Sequence, residues 1–115
     1  VIERILSDQG IDADFEIHAD DTELVGDGSD ATRVWFRVVD EYGNHRHLAY
    51  GAIRFEISGP GEIVGDNPFA LIGGCGAIWV RSKVGTGTIQ LLATHRWLGT
   101  KSLSIEVRSE VKELI

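Results

Sequence analysis

In TRVWFRVVD, residues 32–40, apolar and polar positions alternate: Val34, Phe36 and Val38 share one face, and Arg33, Trp35 and Arg37 share the other. A period of two carried by β-branched and aromatic residues predicts a strand buried on one side. The pattern recurs in AIRFEIS (52–58), where Ile53, Phe55 and Ile57 fall on the inner face. It returns in TGTIQLLA (86–93) with Ile89, Leu91 and Ala93, and in KSLSIEV (101–107) with Leu103, Ile105 and Val107. AIWVRS (77–82) is another strand, with either Ile78 and Val80 or Ala77 and Trp79 facing inward, and DFEIHA (14–19) is an earlier one. ELV (23–25) and EIV (62–64) read as edge or rim segments. No central window sustains helical spacing; only VIERILSD and SEVKELI at the ends allow a turn or two of helix. Residues 14–109 therefore form the predicted domain, with 1–13 a junction and 110–115 a tail.

Short strands separated by turn residues, with no helical crossovers, predict an all-β fold. The expected form is an immunoglobulin-like antiparallel β-sandwich of about seven strands. One sheet cannot bury its apolar face alone, so a second must cover it. The Cys–Trp–Cys pattern of antibody domains is missing, because Cys75 is the single cysteine, and no internal disulfide is possible. In GGCGA its flanking glycines and lack of a cationic neighbour favour a quiet buried thiol.

Composition narrows the partners. A chain of 115 residues is one domain or a piece of one, and 43% hydrophobic content argues against disorder. A net charge of −7, with Lys and Arg scattered, makes nucleic acid a poor partner. The longest apolar runs are too short to span a bilayer and no signal peptide opens the chain, so no membrane partner is expected.

Candidate chemistry is sparse. GPGEIVGDNPF (59–69) is rich in glycine, but a phosphate-cradling loop needs a helix after it, and neither GxxxxGK(S/T) nor GxGxxG occurs. It reads as a connection between strands, and no cofactor is expected. DDTELVGDGSD (20–30) carries five carboxylates without the spacing of a calcium loop, so solvated turn carboxylates are expected and no metal. His45 and His47 sit two apart beside a turn without evident further ligands, which predicts surface or rim histidines here and at His18 and His95. A filled sandwich leaves little room for two carboxylates facing each other across a cleft, and no GxSxG elbow is present; no catalytic residue is assigned. Trp35, Trp79 and Trp97 are the residues of interest. Three readings stand open for them: local packing, contact with a neighbouring domain, or a stacking platform for weak carbohydrate binding.

An ordered set of segments adds to this. DGSDATRVWFRVVDEYGN (27–44), IRFEISGPGEIVGDNPF (53–69) and GGCGAIWVRSKVGTGTIQLLATHRWLG (73–99) together resemble the C-terminal immunoglobulin-like domain of bacterial family 2 glycoside hydrolases, the β-galactosidase group. The resemblance covers roughly residues 14–107. It implies a multidomain retaining glycosidase as parent, with its catalytic glutamates in a (β/α)₈ barrel that has no counterpart here. It further implies Asp27 and Asp30 leading into a strand, Asp40, Gly43 and Asn44 closing it, and Gly59, Pro60 and Gly61 forming the next turn. After Gly65 the chain is shorter than the fuller family pattern, which weakens contact with substrate.

The expected role is non-catalytic: structural support or contact with other domains of the parent glycosidase, or with another subunit. The alternatives are a carbohydrate-binding module using exposed Trp side chains, and an invasin-type bacterial surface-protein spacer. For the parent, a periplasmic or extracellular location is favoured.

Overall fold

The computed structural model describes residues 12–109; the helical turns expected near the two ends, and all but two residues of the predicted junction, lie outside the described residues. The strands are β1 (Asp14–Ala19), β2 (Glu23–Val25), β3 (Ala31–Val39), β4 (Ala52–Ser58), β5 (Gly61–Val64), β6 (Phe69–Ala70), β7 (Cys75–Ser82), β8 (Gly87–His95) and β9 (Gly99–Arg108). They form a four-stranded sheet, β1-β3-β7-β5, and a five-stranded sheet, β2-β9-β8-β4-β6. The predicted all-β sandwich is observed, with short edge strands raising the number to nine among the described residues.

Pairing departs from the antiparallel expectation at one place. β2 lies parallel to β9, from Glu23 opposite Glu106 to Val25 opposite Arg108. The chain leaves β1, crosses to the opposite sheet and runs along its edge for three residues. No tight hairpin joins β2 to β9, so nothing forces the antiparallel sense.

The alternation delivers the core. Val34, Phe36 and Val38 face Ile53, Phe55, Ile89, Leu91 and Ile105, and all are buried. Phe36 meets Phe55 across the sandwich with ring centroids 5.4 Å apart, and the edge of Phe69 closes on it at the same distance. In β7 it is Ile78 and Val80 that point inward, at 1% and 0% exposure, and Trp79 points out at 50%. Gly76 stands opposite Phe36; a methyl group there would strike the rings of Phe69 and Phe36.

GPGEIVGDNPF is a connection of a particular kind. β4 belongs to the five-stranded sheet and β5 to the four-stranded one, so Gly59, Pro60 and Gly61 carry the chain from one sheet to the other. Gly59 has φ +93°, and any side chain on it would collide with the Thr88 carbonyl oxygen. Only glycine meets both demands. The chain then returns to the five-stranded sheet as β6. On the way, Asn67 takes the place of a strand: its Oδ1 accepts from the Phe55 amide and its Nδ2 donates to the Phe55 carbonyl, both at 2.8 Å.

Candidate functional site

Two of the five carboxylates of the polar run, Asp27 and Asp30, are taken up by the backbone. Asp27 Oδ1 accepts from the amides of Ser29 (2.8 Å) and Asp30 (2.9 Å) and from the Ser29 hydroxyl (3.2 Å). The Ser29 amide, followed by that of Asp30, holds the Asp27 carboxyl below the usual range. Asp30 accepts from the Val25 amide at 2.8 Å and from the Ala31 amide at 3.0 Å, joining the end of β2 to the start of β3. Asp40 closes β3: it accepts from the amides of Tyr42 (2.8 Å) and Asn44 (2.9 Å) and from Asn44 Nδ2 (3.3 Å), around Gly43 at φ +85°. The Asn44 amide is the main cause of a lowered Asp40 pKa. Among the described residues no group of three or more His, Cys, Asp or Glu side chains is set to hold a metal ion.

The three tryptophans do not converge. Trp35 and Trp79 share the outer face of the four-stranded sheet, whereas Trp97 lies in the β8–β9 hairpin of the other sheet. On the first face, cross-strand rows run His18–Trp35–Ala77 and Arg33–Trp79–Val64. His18 stacks on Trp35 with centroids 4.5 Å apart and planes 30° from parallel, which half-buries the Trp35 ring. Trp79 and Val64 stay exposed. The neighbouring guanidiniums are each held by a carboxylate: Arg33 by Asp20 (3.0 Å), Arg37 by Glu16 (3.0 Å) and Arg81 by Glu62 (2.7 Å). The result is an aromatic stripe whose bordering charges are already matched.

Beside this stripe, Trp35, Arg37, His45 and Cys75 line a shallow depression of about 490 Å³. The His45 and His47 rings are in contact, with centroids 4.1 Å apart and planes tilted by 36°. Cys75 is half-buried rather than enclosed, with Sγ 3.5 Å from the Ile72 carbonyl oxygen. The expected buried thiol is corrected on this point, because β7 begins at the sheet's open end with Cys75 on its outer side, opposite Arg37.

The second surface is concave. Gly51, Arg54, Pro68, Thr94, Arg96 and Trp97 line an open depression of about 580 Å³ at the end of β4 and β8. His95 builds its wall from within. Sequence reading places His95 at the rim, yet it is buried at 3% exposure, because it continues the inward series Ile89, Leu91, Ala93. Its Nδ1 accepts from the Trp97 amide at 3.2 Å, which leaves Nε2 as the protonated nitrogen, 3.3 Å from the Tyr50 carbonyl oxygen. The hairpin carrying Trp97 and the loop carrying Tyr50 are thereby tied together, with the Tyr50 and Trp97 rings edge-to-face at 6.0 Å. Sequence reading singles out none of Asn67, Arg54 and Arg96, and it misplaces His95. Extending the alternation by one step finds His95; nothing local marks the other three.

Comparison with known proteins agrees with this architecture. The profile of the glycoside hydrolase family 2 C-terminal domain 5 matches residues 15–104. A β-galactosidase of Thermoanaerobacter pseudethanolicus is 39% identical over 94 residues, covering 81% of this chain and 13% of that protein. A β-galactosidase of Rhizobium radiobacter is 33% identical over 107 residues, covering 93% of this chain and 78% of the relative. Among solved structures, a glycosyl hydrolase family 2 member from Bacteroides cellulosilyticus superposes with a TM-score of 0.78 at 25% identity, over 86% of this chain and 14% of that one. The D00-D0 domain of Intimin, at 18% identity and a TM-score of 0.67, shares the fold alone. With a profile spanning nearly all the described residues and the sandwich expected of it, the chain belongs to the glycoside hydrolase family 2 C-terminal domain 5 family.

Proposed function

We propose that the chain is the non-catalytic accessory domain of a β-galactosidase-type glycoside hydrolase, and that it docks on the rest of that protein through the Trp35–Trp79 face. The relatives support the parent's class: two are β-galactosidases, and the chain spans only 13% of the length of one of them. The observation that carries the docking role is the exposed Trp79–Val64 row, set among arginines already neutralised by Asp20, Glu16 and Glu62. Such a surface covers apolar area without leaving a buried unpaired charge.

Half of a tryptophan's surface is roughly 100 Å², and at about 25 cal/mol per Å² its burial contributes roughly 2–3 kcal/mol to docking. Trp79→Ser is expected to lower the unfolding midpoint of this domain in the full-length protein and to leave that of the isolated 115-residue chain within about 0.5 kcal/mol. Equal effects in both settings would remove the docking role. Hydrolysis of a nitrophenyl galactoside is expected from the full-length protein and not from the isolated chain; turnover that follows the isolated chain through purification would overturn the non-catalytic assignment.

A further inference from the structure

We infer that the depression between β4 and the β8–β9 hairpin binds the carboxylate-bearing ring of an acidic saccharide. Charge bookkeeping across the molecule leads there. Arg33, Arg37, Arg46, Arg81 and Arg108 each have a carboxylate partner within 4 Å, at Asp20, Glu16, Asp12, Glu62 and Glu23. Arg54 and Arg96 have none among the described residues, and both line this one depression. In a chain of net charge −7, two adjacent guanidiniums without counter-ions mark a local reversal of sign. The next carboxylate on the face, Glu56, lines a separate hollow with Ile57 and Leu92.

The remaining walls suit a sugar. Trp97, 62% exposed, supplies an apolar plane, with the Arg96 guanidinium 5.5 Å from its ring centroid. Pro68 and Thr94 also line the depression, with the Thr94 hydroxyl 3.0 Å from that of Thr100. A volume of about 580 Å³ accommodates a whole ring rather than one side chain. Guanidinium forks bind a carboxylate through paired N–H donors, whereas the indole covers the C–H face of the ring. An acidic peptide is the poorer fit. Extended peptides add to a free strand edge, and here the edge of β4 is taken by β6, through Ala52 opposite Ala70 and Ile53 opposite Phe69. The walls are also held in place before any ligand arrives, by the buried His95 bridging the Tyr50 loop and the Trp97 amide.

The test is a calorimetric titration of the 115-residue chain with tri-galacturonate, with neutral galactotriose and an acidic oligoglutamate peptide as the other arms. Binding of tri-galacturonate is expected, at least tenfold tighter than galactotriose and weakened by added salt. Arg54→Ala and Arg96→Ala, both at exposed positions, are each expected to weaken it about tenfold or more while leaving the unfolding midpoint unchanged. Amide shifts of Thr94 and Trp97 in the NMR spectrum locate the site independently of affinity. Equal binding of the neutral trisaccharide, no binding of tri-galacturonate, or preference for oligoglutamate would each overturn the assignment, the last by giving the surface to an acidic protein segment.

Discussion

Replacing Asn67 by Ala tests whether a single side chain substitutes for a strand at the edge of the five-stranded sheet. β6 pairs with β4 only at Ala52 and Ile53, and two residues further along the Phe55 amide and carbonyl find Asn67 instead. Removing the carboxamide leaves both backbone groups without their partner beside a core phenylalanine that is 3% exposed. A buried group left unsatisfied costs about 1–3 kcal/mol, and water reaching this sheet edge recovers part of it. The net expectation is a loss of about 2 kcal/mol, equivalent to roughly 8–16 °C in the thermal midpoint of a domain this size. Calorimetry or circular dichroism of Asn67→Ala reads the loss, and hydrogen exchange locates it. The Phe55 amide should lose protection beyond what the global destabilisation imposes, while Leu91, in the centre of the same sheet, should lose only the global part. An unchanged midpoint with an unchanged Phe55 exchange rate would show that the carboxamide is not completing the sheet.

Two further substitutions probe the frame. In Gly26→Ala the new methyl group would collide with the Gly85 carbonyl oxygen, a backbone atom, and approach Val107 Cγ1 at 3.0 Å; a cost at the upper end of about 1–3 kcal/mol is expected in a urea melt. Gly43→Ala, with φ +85° but open space around it, should cost only about 1 kcal/mol, so equal effects at the two sites would contradict the steric account. Acid sensitivity follows from the turn carboxylates. Asp40, held down mainly by the Asn44 amide, and Asp27, held down mainly by the Ser29 amide, have folded values below their unfolded ones. Their contribution is therefore present above about pH 4 and is lost as pH falls through the folded values. Asp40→Asn removes one titrating group and keeps an acceptor oxygen, so the stability gap between wild type and variant should narrow below about pH 4 in urea melts; a gap that widens on acidification would reverse the sign.

Strand identity was readable from the alternation wherever a strand is buried on one face, because burial and a period of two are then the same information. β3, β4, β8 and β9 show it along most of their length. β7 was ambiguous because Ala77 and Trp79 are as apolar as Ile78 and Val80; what separates them is the covering sheet, which no local window contains. β6 was missed because two residues carry no period, and the parallel sense of β2 depends on which edge the chain reaches after crossing. The turn carboxylates were legible for a different reason: Asp27, Asp30 and Asp40 bind amides within five residues of themselves. Arg54 and Arg96 sit at the other extreme. Their significance lies in having no carboxylate partner among the described residues, which only the packed fold reveals.

The passage of the chain between sheets is what gives the domain two unlike faces. Since GPG hands β5 to the four-stranded sheet, Val64 and Glu62 come to lie beside β7, where they extend the Trp79 row and neutralise Arg81. The crossing therefore adds a carboxylate to the aromatic face. GDNPF then returns only far enough to seat two residues of β6 and to place Pro68 at the rim of the depression. One connection thus completes the matched charges and exposed rings of the first face and places Pro68 beside Arg54 and Arg96 in the second. Lengthening the 65–68 segment would test this coupling, because the Trp35–Trp79 face should keep its properties while the hollow loses its wall at Pro68.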